Sequence, residues 1–218
     1  NVTGVDLQEY YHKPEVMLEV QQEVYEMLDN CGSFAPDTGA VAECTGLGGQ
    51  VRFDAHGFIS VKEMEIETLE DVLQMKPGDP WGDNYMRIGL ETFQYMLENA
   101  PKHIKVNPPV LHGPFTVAAQ LRGISQMCMD ILVEPDIAEA LLEVCTETSI
   151  NYLKEIEKVM GGPLHHILVG DDISSFLSKN QYREWVLPYY EKIFKEFPNM
   201  QRWLHNDANA AHLFSEIK

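Results

Sequence analysis

Apolar residues recur at helical spacing over long stretches of the chain. From Pro14 the apolar side chains repeat every three or four positions until Asn30, and Pro suits a first helical turn, so a helix is predicted here. The same period predicts a helix over residues 85–99 and a long helix over residues 135–160. These segments are the most regular part of the pattern.

Shorter apolar runs between turn residues predict strands. Glycine-rich turns separate Val51 to Phe53 from Phe58 to Val61, which is typical of a hairpin. Further on, apolar runs of strand length alternate with helical segments. The predicted strands are 104–111, 166–169 and 200–204, and the predicted helices are 116–129, 135–160, 181–196 and 208–218.

This alternation of strand and helix predicts an α/β fold with a parallel sheet. Because no phosphate-binding glycine motif follows the first strand, we expect a closed (β/α)8 barrel of the TIM type. The chain begins at Asn1 and stops at Lys218 within a predicted helix. We therefore expect one barrel domain over residues 1–218 that is incomplete at both ends.

Composition and charge narrow the classes of function. Sixteen Lys and Arg stand against thirty-four Asp and Glu, which gives a formal net charge of −18 and disfavours nucleic acid and anionic lipid as partners. No apolar run approaches the length that spans a bilayer, so a soluble cytoplasmic protein is expected. The four cysteines form no CxxC pair and are expected to be reduced thiols.

Polar residues follow two of the predicted strands, where the active sites of such barrels lie. Asp171 and Asp172 come after the strand that ends at Val169, and they either cap the next segment or face the barrel mouth. His205 and Asp207 follow the next strand and, being two apart, share a face if the strand geometry persists. The two residues are either a pair of metal ligands or, alternatively, Asp207 caps the helix that follows.

Three further features have weaker functional interpretations. Asp37 follows a short apolar stretch and could simply close a turn, and Gly113 belongs to a turn-forming Gly-Pro pair after a predicted strand. His165 and His166 precede their strand, which places them at the opposite end of the barrel, so they are interpreted as structural.

Four separated patches of the chain resemble the uroporphyrinogen decarboxylase superfamily in order and spacing. The first runs from Asp37 to Phe53, with the glycines of Thr45-Gly46-Leu47-Gly48 after its predicted helix. The others are Gly113-Pro114-Phe115-Thr116-Val117-Ala118, then Gly170-Asp171-Asp172-Ile173 with Tyr182 to Tyr190, and Leu204-His205-Asn206-Asp207-Ala208-Asn209. The resemblance implies a βα barrel and one of two chemistries, porphyrinogen decarboxylation or zinc-dependent methyl transfer to or from a corrinoid protein.

Departures from the family pattern favour methyl transfer. Gln120 stands where the decarboxylases carry an active-site Tyr, and Asp172 stands where they carry a substrate-contacting Ser. A second acid would repel the carboxylates of a porphyrinogen. The last patch resembles the zinc-binding His-x-Cys segment of the methyltransferase branch, with Asp207 in place of the Cys.

The resemblance implies the following roles. Asp37, Asp171, Asp172 and His205 are the predicted catalytic residues; Gly113, Phe115 and Gln120 are the predicted cofactor-binding residues; His205 and Asp207 are the predicted metal ligands. The third ligand of that branch lies in a C-terminal portion that this chain lacks.

The leading hypothesis is a corrinoid-linked methyltransferase that acts on a small molecule with zinc and a cobalamin-carrying partner protein. A uroporphyrinogen decarboxylase and a catalytically idle tetrapyrrole-binding barrel remain as alternatives. The sequence leaves the number of subunits open, with a homodimer among the assemblies to test.

Overall fold

The computed structural model describes residues 3–217. Within them the chain forms ten α-helices and five short strands. The helices are α1 Leu7–His12, α2 Pro14–Met27, α3 Ala42–Gly46, α4 Leu69–Leu73, α5 Tyr85–Asn99, α6 Pro114–Arg122, α7 Ile124–Val133, α8 Pro135–Met160, α9 Lys179–Trp185 and α10 Leu187–Glu196. The strands are β1 Val51–Phe53, β2 Ile59–Val61, β3 Leu111–His112, β4 His166–Gly170 and β5 Gln201–His205.

The fold is of the α/β class, as predicted, and its main sheet is parallel. β4 lies between β3 and β5 and pairs with both in parallel. β1 and β2 form the predicted antiparallel hairpin. The helices α2, α5 and α8 confirm the three segments of strongest helical periodicity.

The expected closed barrel does not form within residues 3–217, where the parallel sheet has three strands and every residue of β5 is exposed. The predicted strand over 104–111 is mostly irregular. Pro108 and Pro109 cannot donate ladder hydrogen bonds. Only an isolated parallel bridge between Phe34 and Val106 precedes β3 in this segment.

Two of the predicted helices are each divided into two shorter helices. A third predicted helix, over residues 208–218, does not form in the part of it that the structure describes. Gly123 has a φ of +90°, which ends α6 and allows α7 to begin in a new direction. The segment 181–196 divides at Val186, because Pro188 has no N–H to continue the ladder from α9. In place of a helix over 208–218, the structure has a single 3-10 turn at Ala211–Leu213, and Lys218 lies outside the described residues.

The core lies on one side of the parallel sheet. The long helix α8 packs against α5, α6, α7 and α10. Side chains that point from β4 towards these helices, such as Ile167 and Val169, are almost completely buried. Successive residues of a strand alternate between its two faces, so His166, Leu168 and Gly170 belong to the opposite face, which we call the open face. None of the helices formed by residues 3–217 combines the length and apolar character needed to cross a bilayer.

Candidate functional site

The loops that follow β4 and β5 are joined by direct hydrogen bonds. The backbone N–H of Asp171 donates to the carbonyl of His205 at 3.0 Å, and the Asn206 side chain donates to the carbonyl of Asp171 at 2.6 Å. The backbone N–H of Asp207 donates to Asp172 Oδ1 at 2.5 Å. Four residues predicted from separate motifs therefore lie together at the carboxyl ends of neighbouring strands.

Asp171 is fully buried on the helix-packed face. Its Oδ1 accepts a hydrogen bond from the Thr116 hydroxyl at 2.8 Å, and its Oδ2 has no partner among the described residues. Burial raises the pKa of Asp171, opposed by its contacts with Thr116, Ser174 and Tyr190. Asp171 thus does not face solvent at the strand ends but turns towards α6 and α10.

Gly113 is required by this close packing. A Cβ at Gly113 would stand 2.4 Å from Tyr190 Oη and 2.6 Å from Asp171 Oδ1. Both distances are too short for non-bonded atoms, so a larger residue would displace the phenol and the carboxylate. The predicted cofactor-binding role of Gly113 stays untested, whereas its packing role follows from these contacts.

His205 and Asp207 form an accessible pair of potential metal ligands. His205 Nε2 lies 3.2 Å from Asp207 Oδ1, and their side chains are 53% and 81% exposed. A tetrahedral zinc ion holds a nitrogen and an oxygen ligand about 3.3 Å apart, so this separation fits two corners of a zinc site. Residues 3–217 contain no group of three or more His, Cys, Asp or Glu placed to complete such a site.

The other predicted site residues have contacts of their own, and none of these contacts is with His205 or Asp207. Asp37 is exposed, accepts the Gly39 N–H at 2.9 Å in its own turn, and accepts the Tyr10 hydroxyl at 3.3 Å. Phe115 is buried in α6 as part of the core. Gln120 accepts a hydrogen bond from the Cys44 thiol at 3.6 Å and lines a separate cleft of about 260 Å³ beside β2.

The two histidines interpreted as structural lie at the other end of β4. His166 Nε2 is 3.2 Å from Asn107 Oδ1, and its ring packs against Trp203 with centroids 5.0 Å apart. These contacts give the His166 side chain a structural role.

A buried pair that the sequence reasoning missed joins β3 to α3. Glu43 is fully buried and accepts both the His112 backbone N–H at 2.8 Å and His112 Nδ1 at 3.0 Å. Burial lowers the pKa of His112, but Glu43, Asp172 and Asp171 together outweigh this, so the pKa stands above its ordinary value. The available signal was a charged residue between the apolar Ala42 and Cys44, on the buried side of a short helix.

Strand register places His112 and His205 in one row. His112 pairs with Gly170, and Gly170 pairs with His205, so all three project from the open face. Two inter-strand spacings separate the histidines by roughly 10 Å between Cα atoms. Gly170 has no side chain, so it places no side-chain atoms between the two histidines.

Two methyltransferases are similar to this chain. A protein from Methanosarcina mazei named "Methylated-thiol--coenzyme M methyltransferase" is 29% identical over 110 residues, which is 50% of this chain and 29% of that protein. The solved structure of a "methyltransferase from Methanosarcina mazei" superposes with a TM-score of 0.83 at 19% identity. It covers 99% of this chain, which spans 63% of the matched structure.

The sequence pattern of one family covers the whole chain. The family described as "Uroporphyrinogen decarboxylase (URO-D)" matches residues 1–218. The match includes all four patches on which the resemblance was based. Together with the shared fold, it leads to one conclusion: the chain belongs to the uroporphyrinogen decarboxylase family.

Proposed function

We propose that this chain is part of a corrinoid-linked methyltransferase, in which a methyl group moves between a small methylated thiol and a cobalamin-carrying partner protein. The similarity to a methylated-thiol methyltransferase supports the substrate class. The observation that carries the proposal is the His205–Asp207 pair, two accessible donors 3.2 Å apart at the strand ends.

Zinc is the proposed metal, held by His205 Nε2 and Asp207 Oδ1 with a further ligand from outside residues 3–217. When bound, it supplies a Lewis acid that favours the ionised form of a thiol. Asp172 fixes the Asp207 backbone through its 2.5 Å hydrogen bond and so orients the ligand loop. In this proposal the missing strands of the barrel come from the rest of the protein, and the corrinoid protein docks over the strand ends.

The test uses the full-length protein with a methylated corrinoid protein as donor and ethanethiol as acceptor. We expect one zinc per active site and loss of both zinc and methyl transfer in His205→Ala. The matched control is His165→Ala, an exposed histidine at the opposite end of the sheet, which is expected to keep both properties. A wild-type protein without zinc, or a His205→Ala variant with normal transfer, contradicts the proposal.

The same preparation distinguishes the alternatives. Release of carbon dioxide from uroporphyrinogen without metal or corrinoid would assign it to the decarboxylases. Tight binding of a tetrapyrrole without turnover would indicate that the protein is a non-catalytic tetrapyrrole-binding barrel.

A further inference from the structure

We propose that His112, held by Glu43, is the proton acceptor for the thiol that binds between His112 and His205 on the open face. This inference rests on the proposed methyl transfer and adds a residue to it. It starts from the buried pair described above, which does not take part in the proposed metal site.

The Glu43–His112 pair fixes both the position and the tautomer of the imidazole. The carboxylate of Glu43 accepts from the backbone N–H and from Nδ1 of the same residue, at 2.8 and 3.0 Å. Because Nδ1 donates to the Glu43 carboxylate, Nε2 carries the lone pair whenever the imidazole is neutral. A carboxylate that orients an imidazole in this way is a common arrangement behind a histidine that transfers protons.

The edge of the His112 ring that carries Nε2 lies over Gly170. A Cβ built on Gly170 would lie 3.5 Å from His112 Cδ2 and 3.8 Å from Nε2, so this edge of the ring borders the space that the glycine leaves. Among residues 3–217, Nε2 has no hydrogen-bond partner. His205 pairs with Gly170 from the other neighbouring strand.

A histidine with only a structural role would not need this arrangement. Burying Glu43 costs free energy unless its hydrogen bonds compensate, and a buried apolar pair would avoid that cost. The charged groups that act on His112 are Glu43 on α3 and Asp171 and Asp172 after β4, all of them acidic. They stabilise an imidazolium, which is the product of accepting a proton.

The chemical step is a simple proton transfer. The S–H bond of the thiol breaks, its electron pair stays on sulfur, and the proton forms an N–H bond at Nε2 of His112. Nδ1–H continues to donate to Glu43, so the imidazolium and the carboxylate form an ion pair. In the reverse direction the same nitrogen returns the proton to the leaving thiolate, which becomes the thiol.

Calorimetry of ethanethiol binding to the zinc-loaded full-length protein tests this step. Titrations at a pH above the pKa of His112, which NMR of the free protein measures, and below the pKa of the free thiol count the protons that reach buffers with different enthalpies of ionisation. Wild-type protein is expected to retain the proton on His112 and release almost none. His112→Gln is expected to release about one proton per bound thiol.

Two variants and one spectroscopic readout make the result specific. His166→Gln, on the open face at the other end of β4, is the matched control and is expected to behave as wild type. Glu43→Gln keeps the histidine but removes the orienting charge. It is expected to release a number of protons per bound thiol between those of wild type and His112→Gln. In ¹⁵N-histidine spectra of the wild type, His112 Nε2 is expected to become protonated when ethanethiol binds.

The outcomes separate the two proposals. If ethanethiol binds, and His205→Ala abolishes binding, but wild type and His112→Gln release equal numbers of protons, the inference about His112 fails and the methyltransferase proposal stands. If ethanethiol does not bind to the zinc-loaded wild type, both fail.

Discussion

Gly113 and Gly170, whose backbones are joined by a hydrogen bond at the strand ends, have different surroundings. On the helix-packed side, the Asp171 carboxylate is fully buried against Thr116 and Tyr190. Gly113 lies next to this carboxylate, and a side chain there would collide with it. On the open face, Gly170 lies between His112 and His205 in the strand register. Gly113 is needed for packing, whereas a side chain at Gly170 would meet only ordinary contact distances.

The strongest test of this contrast is the same substitution on both faces. Gly113→Ala places a Cβ 2.4 Å from Tyr190 Oη, and such overpacking costs about 1–3 kcal/mol. At Gly170 the nearest atom beyond the chain neighbours would be 3.5 Å away, so Gly170→Ala is expected to change stability by less than about 0.5 kcal/mol. Denaturant unfolding of the full-length protein measures both.

The same Gly170→Ala variant is expected to bind ethanethiol more weakly, because its methyl group lies between His112 and His205, where the thiol is proposed to bind. Equal losses of stability in the two variants, or unchanged thiol affinity in Gly170→Ala, would remove the distinction between the faces.

Asp172→Ala is the next largest expected effect. The substitution removes the acceptor for the Asp207 N–H and releases the loop that carries a proposed ligand. Loss of such a supporting hydrogen bond typically weakens metal binding about 10-fold. Competition with a zinc chelator measures the affinity, and Asp172→Asn, which keeps an acceptor oxygen, serves as the control that retains most of it.

Asp171→Asn is expected to alter the pH dependence of stability. Because burial raises the folded-state pKa of Asp171 above its ordinary 3.8, the native state binds more protons than the unfolded state between those two values. The contribution of Asp171 to the free energy of unfolding therefore falls as pH rises through that window. In Asp171→Asn this decline should be absent. If wild type and variant show parallel pH profiles, Asp171 is not the buried group that we describe.

The smallest expected effect is that of Gln120→Ala. Gln120 contacts Cys44 in a separate cleft, so its loss is expected to change stability by less than about 0.5 kcal/mol and to leave zinc content unchanged. A loss of bound zinc in this variant would connect that cleft to the metal site.

The sequence predicted regular elements well where one pattern was long. The bounds of the helices over 85–99 and 135–160 were predicted to the residue, since uninterrupted periodicity left no alternative. It failed where single residues override the pattern, namely at Gly123 with its φ of +90°, at Pro188, and at the prolines before β3.

The candidate site was only partly predictable, for reasons of geometry. His205 and Asp207 are two residues apart, so their spacing alone suggested proximity, which the 3.2 Å contact confirms. Glu43 and His112 are 69 positions apart, and nothing local in the sequence indicates that they meet. Which face Asp171 occupies depends on packing against α6 and α10, which the strand pattern alone did not determine.

The most direct test of the central claim is the anomalous scattering of zinc in crystals of the full-length protein. We predict a peak on the open face, about 2.0–2.2 Å from both His205 Nε2 and Asp207 Oδ1. A zinc peak elsewhere, or none at these two atoms in zinc-loaded crystals, would contradict the account.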